Sequence, residues 1–486
     1  MSQSRPAAVI VLAAGEGKRM KSPTPKVLHA LCGRSMIGHA LAAAQDLAPE
    51  RLVVVTGHGR DQVGAEVARL ALDATLVLQE QQQGTGHAVR MVTEAVGAIP
   101  GVVIVTYGDM PLLRSQTLEE LASVHQAEGN AVTVLSARVP DPTGYGRIVR
   151  DEAGMLARIV EHADATGQEQ AIDEINSGCY AFDGGLLADA IKRVANDNAQ
   201  GQEYLTDVIA ILRGDGHRIG SVIAADAGEI EGVNDRVQLA AARRVLNDRL
   251  LKEHMLNGVT IIDPASTWVD VTVTIGQDAE IRPNTQLEGA TTIGQGAKIG
   301  PNCLLRDTTV AADAELINIV SRQASIGAGA TLGPNVYLRP QAVIGDGAHI
   351  GCHVEVKKST VGPGAKVPHL SYVGDATIGA GANIGAGTIF ANYDGVRKSP
   401  TTVGEHVFVG SNTVLVAPVA IGDGGYTAAG SVIDSDVPAG DLGIARGRQH
   451  NSDGWVLRNR EGTRSSRAAR RARSDEGSPQ SAAEGE

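Results

Sequence analysis

From about residue 275 to residue 421 an aliphatic residue followed by Gly recurs every six positions, as in Ile293-Gly294, Ile299-Gly300, Ile326-Gly327, Leu332-Gly333, Ile344-Gly345, Ile350-Gly351, Val403-Gly404, Val409-Gly410 and Ile421-Gly422. A period of six suits neither an amphipathic helix nor a hairpin strand. It is the hexapeptide signature of a parallel β-helix. Each hexapeptide then forms one flat side of a triangular prism, with the aliphatic residue inside and the small residue after it turning the corner. The register breaks twice: the step from Val356 to Val361 is five, and residues 390–398 are inserted before the repeat resumes at Val403. A repeat is a scaffold, so the chemistry is expected at the breaks.

The first half follows a different pattern. Apolar runs at residues 7–14, 52–56, 102–106 and 131–135 alternate with helical stretches such as 117–125. That alternation predicts an α/β domain, Rossmann-like, with an open and mainly parallel sheet. The first run ends in Gly15-Glu16-Gly17-Lys18-Arg19, a turn that brings backbone N–H groups and cations toward phosphates. Tyr107-Gly108-Asp109 ends a later strand, placing an acid where such sheets bind ligands.

Composition sets the outer limits. A chain of 486 residues exceeds one core, and the net charge of −12 excludes a general nucleic-acid surface. No run is long enough to span a membrane. Cys32, Cys179, Cys303 and Cys352 have no paired spacing, which fits buried or incidental thiols of a cytoplasmic protein. Four segments are expected: 1–236, an α/β domain; 237–257, a connecting helix ended by Asn257-Gly258; 258–460, the β-helix; and 461–486, an Arg-rich and then acidic disordered tail.

Read together, the motifs Leu-Ala-Ala-Gly from Leu12, Pro-Lys-Val-Leu-His from Pro25, Gly-Thr-Gly-His-Ala from Gly84, Gly-Tyr-Gly-Arg-Ile from Gly144 and Asn-Tyr-Asp-Gly from Asn392 carry a resemblance. From Leu12 to about Trp455 the chain resembles the bacterial bifunctional enzymes with N-acetylglucosamine-1-phosphate uridyltransferase and glucosamine-1-phosphate N-acetyltransferase activities. The resemblance implies a left-handed β-helix in the second half and a homotrimer whose acetyl sites lie between neighbouring chains. It also implies a place in UDP-N-acetylglucosamine synthesis for the cell wall.

For the first half the resemblance implies UTP as co-substrate and Mg²⁺ held by Asp109 and Asn234, with Arg19 and Lys26 offsetting triphosphate charge. Leu12, Ala13, Ala14 and Gly15 would present backbone to the nucleotide, and Gln79, Gly84 and Thr85 would read uracil. Tyr107 and Gly108 would form the floor, and Gly146, Glu161 and Asn176 the sugar pocket. For the second half it implies acetyl-CoA as co-substrate and His369 as general base. Arg339, Lys357, Tyr372 and Asn383 would bind glucosamine 1-phosphate. Ala386, Asn392, Tyr393, Ser411, Ala429 and Arg446 would contact acetyl-CoA.

Two positions depart from the family pattern. Lys18 replaces the usual Thr or Ser, adding positive charge near the phosphates, and Asp235 replaces a usual second Asn, adding negative charge near the metal. The rival reading is a single-activity sugar-1-phosphate nucleotidyltransferase whose β-helix only oligomerises. His369, Asn383, Tyr393 and Arg446 weigh against it, since a passive prism has no need of them.

Overall fold

A computed structural model describes residues 5–197 and 201–476. In the first half the buried strand Ala8–Ala13 pairs in parallel with both Arg51–Thr56 and Val102–Tyr107. Arg51–Thr56 continues in parallel to Thr75–Leu78, and Ile219–Ile223 runs parallel to Val132–Arg138. Glu174–Asp183 is antiparallel to Val102–Tyr107, Val132–Arg138 and Arg147–Arg150, and Arg147–Arg150 is antiparallel to Leu156–Val160, so the sheet is mixed, with the strands around Ala8–Ala13 parallel. Because the chain leaves the central strand toward opposite edges of the sheet, a crevice opens at the carboxyl ends of Ala8–Ala13 and Val102–Tyr107.

The second half is a left-handed parallel β-helix of 11-, 10- and 9-stranded faces. The first face runs from Thr260–Ile261 to Leu442–Gly443, the second from Trp268–Val269 to Val432–Ile433, and the third from Thr274–Ile275 to Val419–Ile421. The prism thus extends past both ends of the visible repeat. Its interior is a stack of aliphatic side chains, among them Ile281, Ile299, Leu316, Leu332, Ile350, Val367 and Ile384, all buried. Val356 and Val361 are both interior, so the five-residue step is a true shortening of the coil. A further irregularity lies earlier, where Ser321 takes an inward position between Leu305 and Leu338 in the ladder. Its buried hydroxyl is 3.0 Å from that of Thr308, and a polar residue at that position hid the repeat.

The glycine after each aliphatic residue works differently from the expectation. At Gly345 an added Cβ would lie 2.7 Å from Pro363 N, and at Gly351 it would collide with the Pro368 carbonyl. These glycines permit close approach of successive coils. Among them positive φ occurs at Gly300, φ 105°, and Gly333, φ 118°, each before a proline; elsewhere it falls at other corner positions, such as Gly347, φ 61°.

The connecting helix Arg236–Leu256 joins the halves. Leu239 and Ala242 pack with Met20, Leu31, Met36 and Leu112 of the first half, while Leu251 belongs to the core of the prism. Buried Asn247 donates to Thr267 O at 2.8 Å and accepts from Val269 N at 3.0 Å, pinning the helix to the first coil. Within the segment from 461, Arg464–Glu476 is a helix. Ala and Arg favour that conformation, Ser466 N donates to Thr463 Oγ1 at 3.2 Å near its start, and Arg470 pairs with Glu461 at 2.8 Å. Residues 477–486 lie outside the described part.

Candidate active sites

The crevice of the first half encloses about 340 Å³ and is lined by Leu12, Ala13, Ala14, Gly15, Lys26, Gln79, Gly84, Thr85, Tyr107 and Asp109. Gly108 lies beside them, donating its N–H to Leu12 O at 2.9 Å. The Lys26 ammonium, only 11% exposed, contacts Asp109 Oδ2 and lies 3.1 Å from Asn234 Oδ1. Two hard oxygen donors from distant segments therefore converge on one cationic position. Val233 N, donating to Asp109 O at 2.9 Å, ties those segments together.

Gln79 is buried, and its amide nitrogen donates to Gly84 O at 3.0 Å and meets His87 Nδ1 at 2.9 Å. The carbonyl oxygen is the group left to face a ligand. Gly84 has φ +109°, and an added Cβ would collide with the Glu203 carbonyl, so this turn requires glycine. Gly146, Glu161 and Asn176 form a second cluster, with Glu161 Oε2 and Asn176 Cβ 3.5 and 3.6 Å from a Cβ placed on Gly146. Burial, and then the charges of Asp164 and Asp207, push the Glu161 carboxyl above the usual range. Burial, and then the charges of Glu161, Asp164 and Asp207, raise Tyr204, which lines the crevice, so the cluster adjoins it.

Arg19 is not brought into this lining; it stands exposed on the turn Lys18–Met20. Lys18 pairs with Glu16 at 3.0 Å, also exposed. Asp235 is the N-cap of the connecting helix, accepting from Val237 N and Gln238 N at 2.9 Å each, which accounts for an Asp there.

On the prism, His369 ends a first-face strand, exposed at the edge between the first and second faces. Ala386, Ser411 and Ala429 occupy the same edge position on successive coils, each two residues past inward Ile384, Val409 and Thr427 as His369 is past Val367. They form a column of small residues leading to the imidazole. Tyr372 crosses the second face from this edge, its hydroxyl 3.5 Å from Asn392 Nδ2. At the far edge of that face stand Arg339, 2.9 Å from Glu355, and Lys357, 2.9 Å from Asp375. Tyr393 is exposed on the inserted loop, donating to Gly395 O at 2.6 Å, and Arg446 is exposed beyond the last strand. Asn383 lies on the first face, opposite Lys366 of the strand that His369 ends, and around the corner from the second-face groups Tyr372, Arg339 and Lys357.

The segment 9–175 matches the MobA-like NTP transferase domain, 272–307 the bacterial transferase hexapeptide (six repeats) and 317–423 the GMPPB C-terminal domain. The bifunctional protein GlmU of Thermobifida fusca is 59% identical over 97% of this chain and 99% of its own. The chain belongs to the GlmU family. The GlmU protein of Streptomyces avermitilis is 58% identical over 96% of this chain and 98% of its own, and that of Corynebacterium aurimucosum 50% over 97% and 98%.

Several groups at these GlmU-type sites escape sequence reasoning. Gln82, which donates to Ala14 O at 2.6 Å, and Tyr204 both line the crevice. A cleft of about 520 Å³ on the prism joins the expected Lys357 to Lys358, Lys398 and Asp375, which sequence reasoning did not single out. Their only sequence signal is polarity near a register break. Among the described residues, no group of three or more His, Cys, Asp or Glu is placed to hold a metal ion, and no helix is long and apolar enough to cross a membrane.

Proposed function

We propose that this chain is a homotrimeric cytoplasmic enzyme with two active sites. The prism acetylates glucosamine 1-phosphate from acetyl-CoA, and the first half then transfers uridylyl from UTP to the product, N-acetylglucosamine 1-phosphate, releasing pyrophosphate. The observation that carries the reading is one chain holding both a crevice lined by Lys26 and Asp109 and a column of small residues that ends at an exposed imidazole.

In the first half the sugar phosphate oxygen attacks the α-phosphorus of UTP and pyrophosphate departs, a reaction that depends on positioning and charge neutralisation. Lys26 supplies positive charge, with Arg19 reaching in from the exposed turn. The carboxylate of Asp109 and amide oxygen of Asn234 already focus on one cation, the Lys26 ammonium, and hard oxygens of this kind suit Mg²⁺. When bound, Mg²⁺ adds charge neutralisation at the triphosphate. The Gln79 carbonyl accepts from the uracil N–H, beside Gly84 and Thr85, and Glu161 and Asn176 accept and donate at the sugar hydroxyls against Gly146.

In the second half the substrate amine attacks the thioester carbonyl, His369 takes the amine proton, and coenzyme A leaves as the thiol. The pantetheine arm lies along Ala386, Ser411 and Ala429, where small side chains leave the backbone accessible; Tyr393 and Arg446 hold the rest of the cofactor. Lys357 and Arg339 bind the sugar phosphate, with Tyr372 and Asn392 at the sugar and reaction centre. Asn383, on the first face and turned away from the second-face groups, serves the site of a neighbouring chain, in keeping with the trimer that the resemblance implies. Incubating the protein separately with UTP plus N-acetylglucosamine 1-phosphate and with acetyl-CoA plus glucosamine 1-phosphate tests the reading. Pyrophosphate in the first and free thiol in the second are expected; absence of either product removes that activity.

A further inference from the structure

The prism carries an internal standard for what a structural aspartate does at its corners. Asp307, Asp346 and Asp423 each use Oδ1 to accept a backbone N–H of the preceding coil, from Ala290 at 2.9 Å, Ala328 at 2.8 Å and Glu405 at 2.8 Å. Asp375 sits at a corner equivalent to that of Asp307, with the same left-handed backbone, φ 50° against 49°. Its carboxylate, 11% exposed, is used differently. Oδ2 accepts from Lys357 Nζ at 2.9 Å and also from Asn392 Nδ2, and Oδ1 is 3.9 Å from Lys358 Nζ. Every one of these partners is a side chain, and they come from the coil below and the coil above.

A buried ion pair adds little net stability, so stability alone does not explain an acid diverted from the backbone. Resting on the acetyl-transfer reading above, we propose that Asp375 is a positioning residue of that site. Its single carboxylate fixes the Lys357 ammonium, which grips the sugar phosphate, relative to the Asn392 amide at the reaction centre. Without it Lys357 faces cations: Lys398 is within hydrogen-bonding reach and Lys358 is adjacent, while Arg339 is matched by Glu355 and Tyr372 is the remaining titratable neighbour. The hydrogen bond that Lys357 donates to Asp375 is the main influence holding Lys357 above the usual lysine range, so neutralising the acid lets the ammonium lose its proton at lower pH.

The test is thiol release by the full-length wild type, Asp375→Asn, Lys357→Met and the double variant from neutral to alkaline pH, with pyrophosphate release as control. Asn tolerates the left-handed backbone, so this change removes charge with little conformational cost. In Asp375→Asn, kcat/KM for glucosamine 1-phosphate is expected to fall about ten- to hundredfold, the effect of losing a hydrogen bond to a charged group. Its alkaline limb should move to lower pH, uridylyl transfer should be unchanged, and adding Asp375→Asn to Lys357→Met should cost less than it does in the wild type. An unshifted limb, or full additivity in the double variant, overturns the proposal, and the cycle stays decisive if the single variant melts early. A wild type that releases no thiol would instead refute the acetyl-transfer reading.

Discussion

Glu161 is the residue whose environment makes the sharpest demand. Burial raises its carboxyl, yet only the charged form accepts from two sugar hydroxyls at once. Affinity for N-acetylglucosamine 1-phosphate is therefore present above the raised value and lost as pH falls through it. The KM for this substrate should climb on an acid limb lying above the ordinary glutamate range, and Glu161→Gln should raise KM about ten- to hundredfold and flatten the limb. Initial rates across acid pH check this; a limb that persists in the Gln variant assigns it to another group. Gly84, Asp109 and Asn234 were legible in the sequence because each sits in a local motif. Asp375, Asn247 and Gln82 were not, since their meaning lies in partners a coil or a domain away.

At the scale of elements, the six-residue period disclosed the prism, but the reason for its glycines needed the neighbouring coil. Gly351 abuts Pro368, the residue before His369, whereas a Cβ at Gly347 meets nothing and only its φ of 61° resists substitution. Gly351→Ala should therefore displace the His369 corner and depress acetyl transfer. Gly347→Ala should cost about 1–2 kcal/mol of stability and leave that activity intact. Thermal melting and thiol release on the two variants separate the effects; equal losses of activity would contradict the packing account. The antiparallel strand Glu174–Asp183 and the helix Arg464–Glu476 were hidden for a similar reason. Strand direction leaves no mark in a period of two, and an Arg-rich segment reads as solvated until its caps and ion pairs are seen.

For the whole molecule, the connecting helix determines where the chain divides. Leu239 and Ala242 belong to the first half, Asn247 and Leu251 to the prism. A fragment ending at Asn234 should transfer uridylyl as a monomer. A fragment beginning at Arg236 should acetylate as a trimer, and should melt higher than one beginning at Gly258, which lacks Asn247 and Leu251. Light scattering and calorimetry read both outcomes, and a trimeric first-half fragment would move the assembly surface to the other domain. EDTA should stop pyrophosphate release and spare thiol release, because the oxygens that suit a metal belong to the first crevice. The central claim is that two independent sites share one chain, and the most direct measurement is both assays on Asp109→Ala and His369→Ala. The account predicts that Asp109→Ala loses pyrophosphate release and keeps thiol release, and that His369→Ala does the reverse. Loss of both activities in either variant while it remains folded would contradict it.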